Sequence, residues 1–131
     1  MEYRNAELDA LWHQVRTLDN QVRQGVALEL TDEVLDLLRL VVPTVGMSET
    51  EAERTLSDVE SATVLLHEVR RRITEGSHRL MRSLEQMYTL RDEGDLDGAR
   101  QQMRDLLAVE VVPYYREIAE DEIEKLNEFA Q

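Results

Sequence analysis

The chain has no cysteine among its 131 residues, which excludes disulfides, thiolate metal sites and cysteine nucleophiles. Proline occurs twice and glycine five times. With so little punctuation, a few long elements are expected rather than many short ones. Aromatic residues are few, and lysine occurs once, at Lys125, against fourteen arginines. No stretch approaches the roughly 18 uncharged apolar residues that a membrane span requires. The start, Met1-Glu2-Tyr3-Arg4-Asn5, has no apolar signal core. No Gly-rich phosphate loop, Ser-centred elbow or paired metal motif occurs. Together these absences lead us to expect a cytoplasmic, non-enzymatic protein without a cofactor.

What the chain does carry is acid. The net charge is −13, and it is uneven. Residues 93–131 hold eleven acids against four bases, whereas 48–92 hold nine against seven. Such a chain repels phosphate backbones and anionic lipid, so neither nucleic acid nor membrane is expected as a partner. If charge steers a partner, that partner has a basic face. Otherwise the acidity keeps the protein soluble.

Hydrophobic spacing is helical throughout. Over 5–24, Leu8, Leu11, Val15, Leu18 and Val22 recur every three or four residues, and Gly25 supplies a stop. Thr31 caps a short, well-buried helix over 32–42, closed by Pro43. Ser48 and Glu51 form a capping-box pair that opens one long helix over 48–92. Ala52, Val59, Leu66, Ile73, Leu80 and Met87 lie seven residues apart along it. Ala62, Val69, Gly76, Ser83 and Leu90 complete a coiled-coil-like seam whose small residues let a neighbour approach closely. Because the phase passes through Gly76-Ser77 unshifted, the helix is expected to continue there.

Gly94 and Asp95 form the next turn, and a last helix follows over 96–129. Pro113 removes its hydrogen bond to the Val109 carbonyl and should kink that helix. The expected fold is all-α: a single helical domain over 1–131, a four-helix assembly. Its very long helix (about 48–92) packs antiparallel against a kinked C-terminal helix (about 96–129). An uncovered end of the long helix would need a second copy, so a homodimer is expected.

Three clusters invite a chemical reading. Glu75-Gly-Ser-His78 has the Glu-x-x-His spacing of di-iron helical bundles, with Glu68 and Glu110 as the nearest further carboxylates. One pair is a partial ligand set, so Glu75 and His78 stand as metal candidates only for a ferritin-like alternative. The segment Gly46–Leu56 resembles the turn and second helix of a helix-turn-helix, which gives a DNA-associated alternative. Its first turns, however, would bring Glu49, Glu51 and Glu53 towards phosphate. The third cluster is Glu117, Glu120, Asp121, Glu122, Glu124 and Glu128, dense enough for a cation or a basic partner, although most such runs are solvated faces.

Arg70-Arg71-Arg72 is expected to pair with nearby acids, and His13 and His67 show no partner in the sequence. Trp12 is expected at the edge of the core beside Leu8, Leu11 and Val15. As an interface anchor it would stand with Tyr114, Tyr115, Glu117, Asp121 and Glu124 as an interaction candidate.

The runs Arg72–Leu80, Met87–Met103 and Val109–Arg116 resemble the DUSAM domain, a family of small paralogous proteins expanded in myxobacteria. The resemblance covers roughly residues 8–128. Arginine in place of lysine also fits a GC-rich bacterial genome. That family is of unknown function, so the resemblance implies no catalytic or binding residue. The residues themselves lead us to expect a helical protein–protein interaction module, either an adaptor or regulator, or an acidic neutraliser of a basic partner.

Overall fold

The computed structural model describes residues 5–129, so the opening stretch with Tyr3 and the last two residues lie outside it. Six helices and no strand make up the described residues. They are α1 (Ala6–Arg23), α2 (Asp32–Thr44), α3 (Glu49–Thr55), α4 (Val59–Asp92), α5 (Leu96–Val109) and α6 (Pro113–Phe129). The all-α class holds. No helix among the described residues is long and apolar enough to cross a membrane. The chain divides into two compact units, one ending at Ile73 and the other starting at Thr74, with the boundary inside α4.

In the first unit, Asn5 caps α1 by accepting from the backbone amides of Glu7 and Leu8, both at 3.1 Å. Gly25 ends the helix at φ 96°, a conformation that glycine adopts without strain. This lets the Val26 amide reach back to the Gln21 carbonyl at 3.0 Å. α2 returns antiparallel to α1, and the Trp12 indole N–H donates to Thr44 Oγ1 at 3.0 Å. Leu38, Val41, Val42 and Val45 are fully buried and meet a core that includes Trp12, Val15, Leu66 and Val69. Each such side chain contributes about 1.5–3 kcal/mol by leaving water.

Pro43 does not close α2, as its position suggested; the helix runs on to Thr44. The amide that proline lacks would serve the Arg39 carbonyl. Arg39 and Pro43 are both exposed, so water can satisfy that oxygen. Gly46, at φ 75°, makes the actual stop.

The helix expected over 48–92 begins at its cap but does not run through. Ser48 caps α3, which ends after seven residues. Thr55 and Ser57 turn their hydroxyls onto the Ala52 and Arg54 carbonyls. Asp58 then starts α4 afresh, accepting from the Ser61 amide and the Ser61 hydroxyl, each at 2.9 Å. From there α4 continues for 34 residues, about 51 Å at 1.5 Å per residue. It passes unbroken through Gly76 and Ser77, as the heptad phase predicts. Leu66, Val69, Ile73, Leu80 and Met87 of the seam are buried, while Val59, at the restart, is 44% exposed.

The second unit is an up-down-up arrangement of the later part of α4 with α5 and α6. Gly94, at φ 88°, and the Asp95 cap make the first turn. The kink expected at Pro113 is instead a full reversal. α5 stops at Val109, residues 110–112 are non-helical, and Pro113 opens α6. Arg100 Nε donates to Asn127 Oδ1 at 2.8 Å near one end of the pair, and Arg116 donates to the Leu107 carbonyl at 2.6 Å near the other. The two helices therefore run antiparallel. Proline at a first helical position loses nothing, since that amide would be unbonded anyway. Val112 makes a poor cap by its side chain, and Glu110 instead holds the Val111 and Val112 amides just ahead of the helix.

Candidate functional site

Among the described residues three carboxylates are buried: Asp19, Glu110 and Glu122. Among the described residues no buried side-chain nitrogen or oxygen lacks a hydrogen-bond partner. All three carboxylates are held in place by neighbours.

Asp19 is inaccessible to solvent and joins α1 to α4 in the first unit. Its Oδ2 accepts from Arg23 Nε at 2.7 Å and from Arg70 at 3.2 Å. Its Oδ1 meets His67 Nδ1. Arg70 also donates to Asn20 Oδ1 at 2.8 Å. His67, for which the sequence shows no partner, thus finds one in Asp19 while staying half-buried. The sequence did contain a signal, because Asp19 falls four residues after Val15 on the buried stripe of α1. The remaining arginines of the triplet behave as expected, Arg71 and Arg72 both pairing with Glu68 at 2.8 and 3.0 Å. The hydrogen bond from the Arg71 guanidinium, opposed by burial and aided by Arg72, holds the Glu68 carboxyl below its ordinary range.

Glu110 sits in the second unit at the reversal between α5 and α6. Its Oε1 accepts from Arg79 at 2.9 Å, and its Oε2 accepts the Val111 and Val112 amides, each at 3.0 Å. Arg116 donates to the Glu110 carbonyl at 2.8 Å, closing the end of α5. Gly76 lies beneath this corner. A Cβ there would stand 2.7 Å from two ring carbons of Tyr115 and 3.1 Å from Glu110 Oε1.

Glu122 accepts from the Tyr88 hydroxyl at 3.2 Å and faces Lys125 at 3.5 Å. Burial, followed by the Glu122 charge and the hydrogen bond to it, raises the Tyr88 hydroxyl above its ordinary value of 10.0. A raised folded-state value means that the folded protein holds this proton where the unfolded chain releases it. The contribution is complete below about pH 10 and disappears as pH climbs through the folded-state value. Comparing wild type with Tyr88→Phe in urea unfolding should therefore show the wild-type advantage shrinking above about pH 10. An advantage that stays constant up to pH 11.5, to take an upper limit of about this size, would contradict the Tyr88–Glu122 bond.

The metal candidates do not gather a ligand set among the described residues. Glu75 and His78 are both exposed on α4. Their suggested supports are engaged elsewhere, Glu68 by Arg71 and Arg72 and Glu110 by Arg79. Among the described residues no group of three or more His, Asp or Glu side chains could hold a metal ion. The segment Gly46–Leu56, likened to part of a helix-turn-helix, forms a turn and α3, but α3 spans seven residues and exposes Glu49, Glu51 and Glu53.

The interaction candidates divide by burial. Trp12 is 3% exposed and Tyr115 6%, so both belong to the cores of their units. Tyr114 is half-buried, its ring centroid 6.0 Å from that of Tyr115. Glu117 and Glu124 are exposed and Asp121 is partly so. With Glu120 and Glu128 they follow helical spacing along one face of α6. None of these five enters an ion pair among the described residues.

These features define a class: an all-α protein with satisfied buried carboxylates and an open acidic helix face. The chain belongs to the family described as "Protein of unknown function (DUF2379)", whose model matches residues 10–126. Comparison with curated proteins found no match, and neither did comparison with solved structures.

Proposed function

We propose that this protein is a non-enzymatic helical module that works by protein–protein contact, with the outer face of α6 receiving a basic partner. The observation that carries this reading is the row Glu117, Glu120, Asp121, Glu124 and Glu128. These five carboxylates lie at helical spacing without an ion-pair partner among the described residues, whereas Glu68, Asp19 and Glu110 all have arginines. Unpaired charge of one sign raises the encounter rate with the opposite sign and is screened over about 8 Å at physiological salt. The satisfied buried groups support the non-enzymatic half of the reading, since a catalytic acid or base needs an accessible proton site. An adaptor or regulator and a neutraliser of a basic protein are two forms of the same proposal. Cytoplasmic residence and membership of the DUSAM set in a bacterium belong to it as well, the latter because the resemblance and the family match cover nearly the same residues. Self-association as a homodimer is the further form, and light scattering at several concentrations tests it.

The variant carrying Glu117→Gln, Asp121→Asn and Glu124→Gln removes three charges from exposed or half-exposed positions and should keep its circular dichroism spectrum. Affinity capture at physiological salt should recover a basic protein with the wild-type chain and lose it with the variant. Raising the salt should release the same protein. Equal capture by both chains, or recovery of the chain alone, would overturn the reading.

A further inference from the structure

We draw no further inference here: the strongest candidate, the shallow apolar groove between α1 and α2 lined by Leu18, Val34 and Leu37 with His13 and Glu33 at its rim, carries nothing because no feature of the structure shows what covers it.

Discussion

Asp19→Ala is expected to destabilise the unit ending at Ile73 by about 3 kcal/mol, at the lower end of what breaking a buried charge cluster costs. The carboxylate is fully buried and accepts from Arg23, His67 and Arg70. Removing it leaves those donors facing one another around a small void. Two of them have relief. The Arg23 side chain is 60% exposed and returns to water. Arg70 keeps Asn20 Oδ1 and the Arg16 carbonyl. This is why the lower end of the range applies. Asp19→Asn retains the shape and one acceptor, so its loss should be about half as large. Asp36→Ala is the control. Its side chain is 73% exposed and lies 3.9 Å from Arg39, so a change under about 0.5 kcal/mol is expected. Trp12 is the sole tryptophan and sits in the core of this unit, so its fluorescence in a urea titration reports the unit directly. If Asp19→Ala fell within the range of Asp36→Ala, the cluster would not hold α1 to α4.

Gly76→Ala should destabilise the unit starting at Thr74 by a net of about 2 kcal/mol, although alanine is the better helix former. In an open helix the exchange gains about 1 kcal/mol. Here the added carbon would stand 2.7 Å from the Tyr115 ring and 3.1 Å from Glu110 Oε1. Neither neighbour yields easily. Tyr115 is buried, and Glu110 is fixed on both oxygens by Arg79 and two backbone amides. Overpacking of this kind costs about 1–3 kcal/mol, and the upper end outweighs the propensity gain. The test is a change of sign. In a Tyr115→Leu background the obstruction is smaller, and Gly76→Ala should become neutral or stabilising by urea unfolding followed by circular dichroism. A stabilising effect in the otherwise wild-type chain would refute the close approach.

Much of this was readable in advance, for local reasons. The caps at Thr31, Ser48 and Asp95 act through side chains within three residues, and each stands where the pattern placed it. The α4 seam is legible because burial of every seventh residue is a property of a helix, whatever covers it. Gly76 could even be read as a place of close approach, although which neighbour approached could not. The heptad spacing continues across Leu56-Ser57-Asp58 and so hides the break there, which the Asp58 cap on Ser61 makes.

Pairings over longer distances were not legible at all. Asp19 and His67 are 48 positions apart, and Arg79 and Glu110 are 31 apart. Nothing local marks Glu110 as buried, and the place of Asp19 on the buried stripe of α1 does not say which residues it meets. The reversal at 110–112 depends on the same problem. Pro113 permits a kink or a new start equally well. Glu110 decides between them because Arg79, from another helix, neutralises its charge at a corner where it can bind two free amides. The sequence by itself therefore determined the helical class, most helix starts and the acidic face of the last helix, since these depend on residues within one or two turns. Only the tertiary structure decided which carboxylates are buried, where His67 points and that α6 folds back along α5. Each of those outcomes requires a charge to meet its partner from a distant part of the chain.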